Sequence, residues 1–185
     1  MTPKYPLAED HINKLAKDAV NSRKLLDLWY AHEPYYRFLS YLVRDFNPEF
    51  AIELGIARGT GLAHMALGSL STKVIGVDHD MRFVVDEVKR INNVTLVQSD
   101  TIIWLKKHKD NQFERCLFHI DSEHTSEQSG GELAEVKRIA RNSIICLDDV
   151  RFSDDMSNWW DGLLGKKMEF PELHVKSYGV ILLGD

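Results

Sequence analysis

The stretch Ala51-Ile52-Glu53-Leu54-Gly55-Ile56-Ala57-Arg58-Gly59-Thr60-Gly61 limits the fold more than any other part of the chain. A short apolar run carrying one acid breaks into a turn with three glycines, and Leu62, Met65, Ala66 and Leu70 follow at helical spacing. The segment therefore reads as strand, tight turn, helix. Gly55 and Gly59 let the backbone bend without a Cβ in the way, so a ligand can lie against bare peptide at the start of the next helix. A dinucleotide fingerprint wants G-x-G-x-x-G, whereas this turn is G-x-x-x-G-x-G, which argues against NAD. Asp78 closes the next apolar run, where its two oxygens can accept both hydroxyls of a ribose. NAD and S-adenosylmethionine share that diol, and Glu53 separates them. An acid beside the first turn repels a pyrophosphate but attracts the ammonium and sulfonium of S-adenosylmethionine.

Downstream the pattern alternates. A helix to about Leu70 is followed by a strand Lys73 to Val77, a helix Met81 to Ile91, a strand Val94 to Val97 and a helix Thr101 to Lys107. A strand Cys116 to Ile120, a helical stretch ending near Arg141 and a strand Ile144 to Leu147 complete the series. Such alternation implies an α/β, Rossmann-like, mostly parallel sheet with helices on both faces, which binds ligands at the carboxyl ends of its strands. Arg151 to Lys167 reads as a loop plus short helix, a candidate lid. Leu173 to Lys176 and Tyr178 to Leu183 read as a closing hairpin that makes the last strand antiparallel. Ahead of the glycine turn, Ile12, Leu15, Ala16, Ala19 and Leu26 mark an amphipathic helix between Ala8 and Leu28, and Pro34 opens a clearer one ending at Asn47-Pro48. The expected organisation is a helical extension, residues 1–47, packed on a core domain, residues 48–185. Trp29, Tyr30, Tyr35 and Tyr36 are expected to pack on the sheet, with lining of an acceptor pocket as the alternative.

The 185 residues suffice for one domain with a sizeable core. No apolar run approaches a membrane span and the first residues carry no signal core, so the expected setting is cytoplasmic, away from the membrane. A net charge of −5 without a basic block disfavours a nucleic-acid substrate and favours a small molecule. Cys116 and Cys146 fall on neighbouring strands, offset by about three residues or roughly 10 Å, beyond disulfide reach. Nothing in the sequence fixes oligomeric state; a homo-oligomer is compatible with it.

Phe118-His119-Ile120-Asp121-Ser122-Glu123-His124 ends one strand and Cys146-Leu147-Asp148-Asp149 ends its neighbour, so Asp121, Asp148 and Asp149 converge at one mouth. Gathering that much negative charge in a cleft costs several kcal/mol unless a cation offsets it. The cofactor's sulfonium and a divalent metal are the candidates, and oxygen-only ligands favour Mg²⁺, Mn²⁺ or Ca²⁺ over zinc. A bound ion lowers the pKa of an acceptor hydroxyl, and His124 can take the proton. Asp100-Thr101 is an ordinary helix N-cap that also suits the adenine amino group.

With these residues assembled, the chain resembles class I S-adenosylmethionine-dependent methyltransferases. It is most similar to metal-dependent sugar and small-molecule O-methyltransferases carrying I-D-G-D-H and a later L-D-D, here Ile120-Asp121-Ser122-Glu123-His124 and Leu147-Asp148-Asp149. The resemblance runs from about Pro48 to Val150 and implies a seven-stranded sheet. It implies cofactor contacts at Glu53, Gly55, Ala57, Gly59, Thr60, Asp78, His79, Asp100, Thr101 and Asp121, and magnesium on Asp121, Asp148 and Asp149. His124 and Asp121 take the catalytic roles, with a sugar or other hydroxylated compound as acceptor. Ser122-Glu123 replaces Gly-Asp, Arg141-Asn142-Ser143 replaces a proline-glycine turn, and Gly130-Gly131 is expected to weaken the helix after His124. A non-catalytic binding or assembly protein on the same core, and an N-methyltransferase, are the rival expectations.

Overall fold

The computed structural model describes residues 6–22 and 32–184. Helix α1 (Glu9–Asn21) buries Ile12, Leu15, Ala16 and Ala19, the i, i+3, i+4, i+7 stripe of its sequence. It ends at Asn21, where Ser22 is extended; the expected continuation through Leu26 to Leu28, and Trp29 and Tyr30, lie outside the described residues. Helix α2 (Pro34–Phe46) starts on a proline whose missing N–H costs nothing there, and stops at Asn47 in the left-handed region, its N–H donating to the Val43 carbonyl. Arg37 Nε donates to the Ala19 carbonyl at 2.7 Å and ties the two helices together.

Strand β1 (Phe50–Leu54), α3 (Thr60–Gly68) and β2 (Lys73–Asp78) follow as the pattern requires. The helix expected from Met81 to Ile91 is split. A 3₁₀ turn (Met81–Phe83) is separated from the short α4 (Asp86–Lys89) by extended Val84 and Val85. The physical reason is tertiary: Val84 and Val88 both turn inward, and the Val85 N–H donates to the Arg58 carbonyl of the glycine turn. Then come β3 (Val94–Gln98), α5 (Thr101–Lys106), β4 (Phe113–Glu114), β5 (Cys116–Ile120), α6 (Ser126–Ile139), β6 (Ala140–Arg141) and β7 (Ile144–Leu147). Helix α7 (Asp154–Gly162), β8 (Lys167–Phe170) and β9 (Tyr178–Leu182) close the chain.

The seven-stranded sheet has the order β3-β2-β1-β5-β7-β9-β8, and β4 and β6 form a small separate parallel pair. Strands β1, β2, β3, β5 and β7 are parallel, and β9 runs antiparallel to β7. The hairpin partner of β9 is β8, not Leu173 to Lys176. Pro171 follows β8 directly, and the turn beyond it buries Leu173 and carries His174 before Ser177, in the left-handed region, turns the chain into β9.

Alternation along the strands divides the core into two layers. Ala51, Leu117, Ile144 and Cys146 face α1, α2 and α3, while Ile52, Leu54, Phe118, Ile120, Ile145 and Leu147 face α5 and α6. Cys116 belongs to the second layer and Cys146 to the first, so both are free thiols on opposite faces of the sheet. Helix α7 is anchored through Trp160, which is buried over Gly179. The two glycines of α6 allow close packing rather than merely weakening it: a Cβ at Gly130 would meet Trp159 Nε1 at 3.2 Å, and one at Gly131 would meet Ile102 at 2.9 Å. Among the described residues no helix is long and apolar enough to cross a membrane.

Candidate active site

The parallel register puts the carboxyl ends of β1, β2, β5 and β7 side by side. Leu54 pairs with Val77 and with Ile120, and Ile120 with Leu147. The chain must therefore turn away at one level, and the acids that end the strands meet there. Gly55, with φ of +83°, makes the first turn; a Cβ on it would sit 2.2 Å from the Asp121 carbonyl oxygen. Gly59, also left-handed, caps α3.

An open cleft of about 560 Å³ lies over this edge. Gly55, Ala57, Asp78, His79, Asp100, Thr101 and Asp121 all line it. Asp78 spends part of its acceptor capacity on the turn itself, taking the Ile56 N–H at 2.7 Å and the Asp80 N–H at 2.9 Å. Asp100 caps α5 by accepting the Ile103 N–H at 2.7 Å. A smaller pocket of about 130 Å³ adjoins the cleft on the α2 side, and Glu53, Thr60, Gly61, Asp121 and Tyr36 line it.

Glu53 is held in the α2/α3 layer by His119, its register partner on β5, whose Nδ1 lies 2.9 Å from Oε1. Burial pushes the Glu53 carboxyl up and the bond from His119 opposes that rise. Its other oxygen, Oε2, is buried with no hydrogen-bond partner. Loss of bulk water and the carboxylates of Asp148, Glu53 and Asp149 push Asp121 well up, although 23% of its side chain still opens to the cleft. His124 stands at the rim, its Nε2 3.5 Å from Asp149 Oδ2 and 3.9 Å from Asp121 Oδ1, with the half-exposed Phe152 ring 5.2 Å away.

A family profile described as a methyltransferase domain matches residues 52–150. The chain belongs to this family. The matched span runs from β1 to the end of β7 and contains the glycine turn and every strand-end acid named above. The fold of this methyltransferase is shared with solved structures of low sequence identity. An SAH-bound methyltransferase of Podospora anserina, PaMTH1, is 13% identical with a TM-score of 0.68, each chain covered fully. A putative caffeoyl-CoA O-methyltransferase of Staphylococcus aureus is 14% identical at a TM-score of 0.66, covering 94% of this chain and 92% of that one. A putative O-methyltransferase of Klebsiella pneumoniae is 17% identical at 0.65, covering 95% and 89%. No curated protein matches the chain.

Two groups at the methyltransferase site, Glu132 and His174, were not foreseen. Glu132 on α6 is fully buried and accepts hydrogen bonds from the Thr101 hydroxyl, from Ser122 Oγ at 2.7 Å and from Gln128 Nε2 at 3.0 Å. Burial pushes Glu132 up, and these donors oppose the shift. Its signal was present as an i, i+4 Gln128–Glu132 pair on α6. Tyr35 stacks on Tyr178 at 5.1 Å, which is packing, whereas Tyr36 stacks on His64 at 5.4 Å and also lines the smaller pocket. His174 lies against the acid cluster, with Nδ1 3.1 Å from Asp148 Oδ1 and 2.9 Å from Asp149 Oδ1. The close approach of these two carboxylates pushes its imidazole up to about 10. No local motif marks His174 in the sequence. Asp121, meanwhile, falls in a compact group with Glu53 and His119, so the three aspartates do not form one tight cluster by themselves.

Proposed function

We propose that this methyltransferase moves the methyl group of S-adenosylmethionine onto an oxygen of a small hydroxylated acceptor, such as a sugar, with a divalent metal at the acid cluster. The observation that supports this reading is the buried Asp148 and Asp149 pair at the end of β7, with Asp121 on the neighbouring strand end beside the Gly55 turn. Metal fits these residues on chemical grounds. Asp148 Oδ1 and Asp149 Oδ1 are buried oxygens with no hydrogen-bond partner, a costly state that a cation relieves. Asp121, Asp148 and Asp149 would hold the ion.

S-adenosylmethionine supplies an electrophilic methyl group, and a divalent ion supplies Lewis acidity at the acceptor oxygen. The chain supplies alignment. Glu53 Oε2, the unpaired acceptor behind the turn, attracts the ammonium of the methionine portion. Gly55, Ala57 and Gly59 let backbone approach it, and Thr60 opens α3 beside it. Asp78 and His79, which line the cleft, would receive the ribose hydroxyls, and Asp100 and Thr101 would border the adenine. His124, partly exposed at the rim, accepts the acceptor's hydroxyl proton, and Asp121 orients the oxygen that loses it. Helix α2 of the N-terminal extension would share this site with the core, since Tyr36 borders the smaller pocket.

Isothermal titration with S-adenosylhomocysteine tests the cofactor half; no heat and no thermal shift at millimolar ligand rejects it. For the metal half, Asp149→Ala and a chelator should each cut transfer to hydroxylated acceptors by about 100-fold or more. Full activity in both tests removes the metal from the reaction.

A further inference from the structure

We propose that His174 is a nitrogen ligand of the divalent ion, which makes the site a mixed imidazole and carboxylate centre rather than an oxygen-only one. This rests on the metal-assisted reading above and adds to it the chemical class of metal.

The positions of the three atoms carry the inference. Nδ1 of His174 lies 3.1 Å from Asp148 Oδ1 and 2.9 Å from Asp149 Oδ1. Those separations suit an ion pair, yet none of the three atoms has an aligned hydrogen bond. Adjacent ligands around an octahedral ion with bonds of about 2.1 Å are about 3 Å apart, and such ligands aim at a common centre rather than at one another. The two observed spacings are those of adjacent ligands around such an ion, one ligand atom from each of the three residues lies within 4.8 Å of the others, and Asp148 has only 6% of its side chain exposed.

The surrounding chain fixes this arrangement. Asp149 occupies the left-handed region with φ of 55°, a costly conformation for a residue with a Cβ, and it aims the side chain. The turn bearing His174 is stitched to the same segment: the Val150 N–H donates to the Ser177 carbonyl at 3.3 Å and the Arg151 N–H to the Lys176 carbonyl at 2.8 Å. Buried Leu173 anchors the turn from within, and the Tyr35 ring meets the imidazole edge-on at 5.2 Å. The ring is therefore held in place before any ion arrives.

An imidazole in the set favours Mn²⁺, Fe²⁺ or Co²⁺ relative to Mg²⁺, which prefers oxygen. The expectation of an oxygen-only magnesium site changes accordingly.

The test uses the full chain stripped of metal and titrated separately with Co²⁺, Mn²⁺ and Mg²⁺ by calorimetry, beside His174→Asn. Loss of the ligand should weaken Co²⁺ and Mn²⁺ by about 10- to 100-fold and Mg²⁺ by less than about threefold. If His174 were only a counter-cation, removing it would tighten all three ions, and that result overturns the proposal. So does an unchanged order of preference. Pulsed electron paramagnetic resonance of Mn²⁺ on the unmutated chain reads imidazole nitrogen coupling directly, independently of how the variant folds. Bound Mn²⁺ without that coupling sinks the nitrogen ligand, and the carboxylate metal reading survives if Asp149→Asn abolishes binding. Binding of none of the three ions defeats both. Nitrogen coupling with no metal effect on methyl transfer keeps His174 as ligand and rejects the metal-assisted reaction.

Discussion

Gly61→Ala tests the packing beneath the cofactor turn, because two effects of opposite sign meet at that residue. Gly61 is the second residue of α3, where helix propensity alone favours alanine by about 1 kcal/mol. Packing says the reverse. A Cβ there would lie 1.9 Å from Glu53 Oε1 and 2.8 Å from its Cδ. Carboxylate tips usually swing aside at little cost, but this one is 2% exposed and bonded to His119 at 2.9 Å. Clearing the methyl requires Oε1 to retreat by about 1 Å, which breaks that bond. Losing a buried hydrogen bond to a charged group costs about 1.5–3 kcal/mol, and overpacking adds about 1–3 kcal/mol. After the propensity gain, the net loss is about 1.5–5 kcal/mol. At this chain length that lowers Tm by on the order of 10 °C. Urea and thermal unfolding measure it. In a Glu53→Ala background the methyl has space, so the same change should recover about 1–3 kcal/mol in a double-mutant cycle. A Gly61→Ala protein as stable as the parent, or more stable, would show that Glu53 is not pinned by His119 and refute the reasoning.

Gly55→Ala meets backbone instead of a side-chain tip, at 2.2 Å from the Asp121 carbonyl oxygen and with φ of +83°. Nothing can move cheaply, so S-adenosylhomocysteine heat in calorimetry should vanish even where circular dichroism shows a folded chain. Glu169 governs acid stability at the other end of the sheet. Arg151 binds both of its oxygens, at 2.9 and 2.7 Å, with Ser177 and Trp160 as further donors, and the carboxyl is lowered from 4.5 to about 2. A depressed folded-state pKa stabilises fully above the unfolded value, and this stabilisation is lost as pH falls from 4.5 towards 2. With the partial exposure of the pair discounted, the stake is about 1–2 kcal/mol. Chemical denaturation from pH 6 to 2 should show a steeper acid decline in the parent than in Glu169→Gln, and parallel curves would exclude the clamp.

Much of the site was legible because its signals are local. The glycine turn, the acids at Asp78, Asp121, Asp148 and Asp149, and the Asp100 cap are each written within a few residues of a strand end. A parallel register brings strand ends together without further information. The stripes of α1 and α2 were equally readable. The split at Val84-Val85 was not, because those residues suit a helix as well as an extended segment, and only the hydrogen bond to Arg58 decides between them. Nor was the identity of the hairpin partner, since residues 167–170 and 173–176 are both strand-like to the eye.

By itself, then, the chain's local chemistry determined a sheet edge that collects carboxylates around a bare backbone turn. What faces those carboxylates was decided by contacts between distant segments. His119 is 66 residues from Glu53, and His174 reaches the aspartates from an irregular turn whose position depends on β8, β9 and Leu173 together. Periodicity and turn chemistry describe neighbours along the chain. Which cation or ring stands opposite a given acid depends on how separate elements pack, and for Asp148 and Asp149 that packing supplies an imidazole.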